Sequence, residues 1–548
     1  MTSPVTVFTA KKIITMNPGN PEGTAVAVRD GRILGVGSLD DMAVWGPYEL
    51  NDSFAGKVLI PGFVEAHSHT VVGGFWQFPY VGHFDRTAPD GTFWKGCQSV
   101  AEVIERLKEE EAKLADPDQP LIAWGLDPIY FPGENVHAAE LDQVSATRPV
   151  YVHHVSGHIV SVNSALMRRD NIGADPAMQG VVRDENGRPV GELQGMPAIM
   201  SVKSVFPRLW ASFNSDEAKW AFGRLARNAG VTTATELGAS AVTPEAIASW
   251  QKVVNDPDFP ARMAIAYSTR FGGPSDPEEM AAQAVGLSEY SSDKLRLGGL
   301  AKIWLDGSIQ GYTARIRWPH YIDGRNGLWY VVPERFKEEF LAYHKAGVTV
   351  HVHANGDEAT DLFLDTLEQI LIEAPRPDHR HTAQHNQLAA ADQFRRMTQL
   401  GASANMFINH IYFWGDQHLT ETVGPERAAR MNALATAQRE GTQFSVHSDE
   451  MVTPLGGLML MWCAVNRVTA SGKVLGPEER ISVYDALKAV TVDAAYQLKM
   501  DHEVGTIECG KWADFAVLEA DPFAVDPMNL KDIPVWGTVL GGKPFPAA

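Results

Sequence analysis

The sequence predicts an α/β protein: a TIM-type (β/α)8 barrel, a small β-sandwich built from both chain ends, and a large insertion after the first barrel strand. Three observations carry this reading. Eight apolar β-type runs alternate with amphipathic helical stretches, the pattern of parallel strands joined by crossover helices. Both chain ends read as short alternating β-segments. About 160 residues separate the first two barrel runs, far more than one crossover needs.

The N-terminal segments are VTVFTAKKII, TAVAVRDGRILGVG and KVLIPG, with Asp30-Gly31 as a hairpin signal between two alternating runs. GTIECGKWADFAVLEAD and VWGTVLGGKPF repeat that character at the far end. The predicted division is residues 1–61 and 501–548 for the sandwich and 62–500 for the barrel, with the insertion at about 75–220. The barrel runs are FVEAHSH, VTTATEL, MAIAYST, LAKIWLD, VTVHVH, RHTAQH, GASANMF and FSVHSD. An apolar stretch from Leu455 to Val465 is broken by Gly456 and Gly457 and falls short of the roughly 20 apolar residues a membrane span requires, so it predicts a buried helix.

With 47 Lys and Arg against 67 Asp and Glu, the net charge of −20 argues against nucleic acid or anionic lipid as partners, because such binding relies on cationic side chains displacing counterions. A hydrophobic content of 45% excludes classes without a packed core. Cys97, Cys463 and Cys509 lack the paired spacing of a thiolate zinc site or a disulfide framework, and no signal-peptide h-region opens the chain. A cytoplasmic protein is expected.

Residues able to do chemistry gather at the ends of the predicted barrel strands, where this fold places active sites. His67 and His69 are two apart on an extended strand, so both imidazoles share a face and can grip one metal ion; solvated or hydrogen-bonded histidines are the plain alternative. His351 and His353 repeat the spacing, with His353 nearer the strand end. Of His379, His381 and His385, the last is nearest the end of its strand. Asp449 stands where the eighth strand should end, able to bind a metal and take a proton from its water, or else to cap a helix. His447 shares its face, to shuttle a proton or orient the carboxylate. Lys302 points into the barrel with Trp304 and Asp306. A buried ammonium is costly, so it is either paired with Asp306 or Glu236, or carboxylated by CO2 into an anionic bridging ligand.

These positions together resemble the amidohydrolase superfamily, and more narrowly its family 3, the group that includes N-substituted formamide deformylases. The resemblance rests on PGFVEAHSHT, SGHIVSVNSAL, AKIWLDGS, HVHANGD, QHNQL, HSDEMVTP and GTIECGKWADFAVL. It implies two divalent metal ions, with zinc as first choice, held by His67 and His69 on the more buried metal and His353 and His385 on the second. Lys302 is then the N6-carboxylated bridge, and Asp449 both ligand and general base. His158 matches a position expected near the mouth, where it would donate to the oxyanion, and a hydrogen-bonded structural histidine is the equal alternative. His447 and Glu450 depart from the family's small or apolar neighbours around the eighth-strand Ser-Asp.

The expected reaction is hydrolysis of a C–N amide bond in a small molecule. Trp76 and Phe78 after the first strand, and Phe413 and Trp414 after the seventh, hint at a hydrophobic or aromatic N-acyl or N-formyl amine or amino-acid conjugate, with packing of the insertion as the competing account. An ester or lactone hydrolase uses the same activated water. A mononuclear deaminase wants a glutamate soon after the fifth-strand histidine, whereas Glu358 lies five residues beyond His353. A non-catalytic scaffold would have lost its ligands, and all six are present. A homo-oligomer is expected from the resemblance.

Overall fold

The computed structural model describes residues 3–238, 242–269 and 272–548, the side chain of Met196 excepted. The chain divides into two compact units, Met1–His69 with Gly223–Ala548, and Thr70–Phe222.

The first unit contains an eight-stranded sheet in which every neighbouring pair is parallel. Its strands are β1 (Phe63–Ser68), β2 (Val231–Glu236), β3 (Arg262–Tyr267), β4 (Leu295–Trp304), β5 (Thr349–Ala354), β6 (Thr382–His385), β7 (Ser403–Met406) and β8 (Phe444–Val446). All eight lie within the runs read from the sequence or overlap them. The circle is drawn together beyond β8, where Ser68 bridges Glu450 in parallel and the His69 N–H donates to the Glu450 carbonyl at 2.5 Å.

Strand alternation sorts side chains between the two faces. Val64 and Ala66 of β1 turn outward into an apolar cluster with Ala494, Ala495 and Leu498, leaving Glu65 and His67 on the opposite, inner face. Gly62 permits β1 to seat: a Cβ there would fall 1.9 Å from Thr232 Oγ1. The helix Gly457–Asn466, apolar on nearly all sides, is buried as expected.

The same unit carries a seven-stranded sheet to which both chain ends contribute. Phe515–Leu518 pairs antiparallel with Tyr48–Pro61, with Val517 opposite Leu59, and Phe8, Phe54 and Phe515 pack in its core. Asp30 and Gly31 both take positive φ between strands Glu22–Arg29 and Arg32–Gly37, the geometry a two-residue hairpin turn requires.

The second unit has its own five-stranded sheet, in the order Val181–Arg183, Pro189–Gln194, Ile159–Val162, Val150–His154 and Leu121–Leu126. Its core includes Val103, Leu107, Leu126, Leu141, Val150 and Val152. Among the described residues no helix is long and apolar enough to cross a membrane.

Candidate metal centre and active site

The inward-facing chemistry of the barrel converges at the C-terminal ends of its strands. His67 closes β1 and His69 follows it; their rings stand edge to face, 5.2 Å apart. His385 ends β6 with φ +74°, and Asp449 sits beyond β8 with φ +54°, so both leave their strands through a sharp change of direction. Asp449 Oδ1 lies 3.3 Å from His69 Nε2 and 3.5 Å from His67 Nε2, and its Oδ2 lies 3.8 Å from His385 Nδ1. Lys302 on β4 is buried at 3% exposure, its Nζ 3.4 Å from His67 Nε2.

His353 on β5 packs its ring 4.3 Å from that of His385, and its Nδ1 is 3.0 Å from Asp306 Oδ1. Asp306 also accepts the backbone N–H groups of Asn355, Gly356 and Arg315 at 2.9–3.0 Å. Its carboxylate is thus taken up in shaping the loops after β4 and β5, and it fixes the His353 proton on Nδ1. Gly356 is needed for that approach, since a Cβ would fall 1.7 Å from the Arg315 carbonyl. Arg315 pairs with Glu358 at 2.6 Å and Arg317 with Asp361 and Asp392, so both arginines are committed within the surrounding loops.

Two further carboxylates stand at the site: Glu236, which the sequence offers only as a partner for Lys302, and Glu65, to which it assigns no role. Glu236, the fully buried end of β2, lies 3.6 Å from His69 Nδ1. Glu65 accepts the backbone and hydroxyl hydrogens of Ser448, at 3.3 and 2.7 Å, and the His67 N–H at 3.3 Å, tying the turn that carries Asp449 to β1. Burial pushes the Glu65 carboxyl up to about 8 against the pull of those hydrogen bonds. Burial alone would lower His69, but the Asp449 and Glu236 carboxylates hold it up at about 8. Burial likewise acts to raise Asp449, yet the His69 imidazole beside it keeps the carboxyl below its usual range and therefore ionised. His67 and His385 are pushed well down, first by burial and then by the positive groups around them, so they stand neutral with lone pairs to offer.

The residues present fit a divalent metal. His67, His69 and Asp449 offer ligand atoms all within 4.8 Å of one another, as do His67, His385 and His447. Among the described residues, the buried atoms His69 Nδ1, His385 Nε2 and Asp449 Oδ1 have no hydrogen-bond partner. Leaving such atoms unsatisfied is costly unless something else binds them, and imidazole nitrogen with carboxylate oxygen is a donor set that suits zinc and its neighbours.

Beneath the site lies a layer of buried amides that the sequence reading missed. Gln384, Asn405 and Ser445 are register neighbours on β6, β7 and β8. His67 Nδ1 is 2.7 Å from Gln384 Oε1, and Asn405 Nδ2 donates to that same oxygen at 3.0 Å. The signal available in the sequence was the break in apolar character at inward positions of otherwise buried strands. His447, read as a partner of Asp449, is instead 3.1 Å from both Asn405 Oδ1 and His385 Nδ1.

Phe413 and Trp414 follow β7; Trp414 is 1% exposed and packs its ring 4.4 Å from that of His410, as part of a buried aromatic wall. His158, Trp76 and Phe78 belong to the second unit. His158 is half-buried, and its carbonyl accepts the Gly195 N–H at 2.8 Å. Trp76 packs edge-on against Trp124, and Phe78 is buried beneath the Arg208 guanidinium.

Comparison with known proteins places this geometry in context. A family model described as "Amidohydrolase family" matches residues 54–545. Over 96% of this chain and 96% of its own length, the N-substituted formamide deformylase of Arthrobacter pascens is 25% identical. Protein LONG AFTER FAR-RED 3 of Arabidopsis thaliana is 28% identical over 97% of this chain and 90% of its own. Among solved structures, an uncharacterized metal-dependent hydrolase from Pyrococcus horikoshii superposes with a TM-score of 0.71 over 95% of this chain and 99% of its own, at 18% identity, a likeness of fold.

Proposed function

The chain belongs to the amidohydrolase family of metal-dependent hydrolases, and from that premise we propose that it cleaves the C–N amide bond of a small N-acyl or N-formyl amine, or of an amino-acid conjugate, that carries an apolar or aromatic group. The observation that carries this reading is Asp449: an ionised carboxylate 3.3 Å from His69 Nε2 and 3.5 Å from His67 Nε2, with Oδ1 free of hydrogen bonds among the described residues.

His67, His69, His353, His385 and Asp449 would hold two divalent ions, zinc first among them, with Lys302 as an N6-carboxylated bridge. Bound there, the ions lower the pKa of water and polarise the amide carbonyl. Asp449 is placed to accept the proton of the attacking water and to return it to the departing amine nitrogen, which would otherwise leave as an unstable amide anion. Asp306 keeps the His353 ring in one tautomer, and Glu65 keeps the Ser448–Asp449 turn in place, so the base needs no reorganisation during turnover. The free thiols of Cys97, Cys463 and Cys509 support a reducing, cytoplasmic setting.

The test is release of amine from zinc-loaded protein across a panel of aromatic N-formyl and N-acyl amines and their matched esters. Turnover of the amides, lost in an Asp449→Asn variant that keeps its fold, supports the assignment. Cleavage of the esters alone moves the protein to the ester-hydrolase reading, and full-rate amide cleavage by Asp449→Asn removes Asp449 as the base.

A further inference from the structure

We propose that Asn405, on a strand that contributes no metal ligand, sets the tautomers of two metal-facing histidines at once, acting on His67 through Gln384 and on His385 through His447. This rests on the metal-site reading above and assigns positioning roles to residues that reading leaves idle.

Asn405 Nδ2 can only donate, and it faces Gln384 Oε1 at 3.0 Å. That oxygen also lies 2.7 Å from His67 Nδ1, so the His67 proton sits on Nδ1 and its Nε2 carries the lone pair. On the other side, Asn405 Oδ1 can only accept and faces His447 Nδ1 at 3.1 Å; the Ser445 hydroxyl, 2.8 Å away, has one hydrogen to share between Asn405 Oδ1 and Gln497 Oε1 at 2.5 Å. His447 therefore bears its proton on Nδ1 and turns a bare Nε2 toward His385 Nδ1, 3.1 Å away. A bare nitrogen takes a hydrogen, so His385 is protonated on Nδ1 and its lone pair is on Nε2. His385 Nε2 is the buried atom left without a partner.

The chain has a direction, and only one direction suits a metal. Reversing both amides would set a donor against His67 Nδ1 and another against His447 Nδ1. The proton of His67 would move to Nε2, that of His447 to Nε2, and that of His385 in turn to Nε2. The Nε2 atoms of both His67 and His385 would then be N–H donors, with no lone pair to offer a cation. At that position the His447 ring completes the link from Asn405 to His385.

Two substitutions break different branches. His447→Phe keeps a ring in the same space, stacked near Phe407, but removes the acceptor for the His385 proton. Asn405→Asp still accepts from His447 but puts an acceptor against Gln384 Oε1, which turns the Gln384 amide and sets a donor against His67 Nδ1. The readout is the histidine tautomer in metal-free protein, by long-range proton–nitrogen correlation on histidine-labelled samples, alongside zinc affinity by chelator competition. Expected are Nδ1–H tautomers for both His67 and His385 in the unaltered protein, loss of that state at His385 alone in His447→Phe and at His67 alone in Asn405→Asp, and a fall of about 10–100-fold in zinc affinity in each. An Nε2–H tautomer at His385 in the unaltered protein, or a His385 tautomer unmoved by His447→Phe, overturns the relay. Failure of the unaltered protein to bind zinc overturns the metal reading instead, while the tautomers of the metal-free protein still decide the relay.

Discussion

Two groups of histidines occupy opposite ends of the same barrel strands. Before β6, His379 and His381 gather with His344, and each ring nitrogen is matched: His344 to the Ala374 carbonyl and to His381, His381 to the Val350 N–H, and His379 to the Leu400 carbonyl and the His381 N–H. After the strands, His67, His69 and His385 leave His69 Nδ1 and His385 Nε2 buried and unmatched beside an ionised Asp449. Both ends carry a His-x-His pair. The spacing is the same, and what sets the strand-end group apart is the ionised carboxylate of Asp449 beside its nitrogens, since an unmatched buried nitrogen alone also occurs at His351 and His154.

The sharpest way to break this comparison is to remove one ring from each group. His385→Leu is expected to weaken zinc by more than about 100-fold, beyond what an outer partner is worth, with the fold retained. His381→Leu is expected to leave zinc content unchanged and to cost about 1–3 kcal/mol of stability, because the Val350 N–H loses its acceptor. Chelator competition and urea denaturation on both variants decide it; equal effects of the two on zinc would erase the distinction.

Lys302→Met tests the bridging role with a side chain of similar reach. It is expected to reduce bound zinc from two equivalents per chain to one or none, and an unchanged pair would make Lys302 a structural cation.

The smallest effect is in pH dependence. Burial lowers His379 to about 4 and lowers His381 and His344 as well. Since the unfolded rings titrate near about 6.5, the unfolded chain binds protons first as pH falls. The stability these neutral rings supply is therefore present above about pH 6.5 and lost on descent toward 4, by about 1.4 kcal/mol per pH unit for each ring that stays unprotonated. Glu65 and His69, held up at about 8, act in the opposite sense, so the test is a difference: between about pH 7.5 and 5.5 the urea stability of metal-free His381→Leu should change less in the destabilising direction than that of the unaltered protein. An identical change in the two would mean that the His381 ring is protonated in the folded state.

How much of this was legible in the sequence follows from the same contrast. Strand alternation and strand-end position place His67, His69, Lys302, His353, His385 and Asp449, because a period of two and a parallel barrel fix which residues face inward at the mouth. The surrounding contacts were not readable: Gln384, Asn405 and Glu236 come from three different strands, and only the closed sheet brings Gln384 to His67, Asn405 to Gln384 and His447, and Glu236 within 3.6 Å of His69. His447 shares a strand face with Asp449, which suggested the wrong partner; the neighbouring strands supply Asn405 and His385 instead. For Trp76, Phe78, Phe413 and Trp414 the sequence leaves pocket and packing side by side, because aromatic composition does not distinguish a lined cavity from a packed wall.

The central claim is that the C-terminal ends of the strands form a metal centre and the N-terminal ends do not. Zinc per chain, measured by inductively coupled plasma mass spectrometry on protein reconstituted with zinc and freed of excess, tests it most directly. Two equivalents are expected in the unaltered protein and in His381→Leu, with fewer in His385→Leu. An unaltered protein that retains none, or a content that falls with His381 and not with His385, would contradict it.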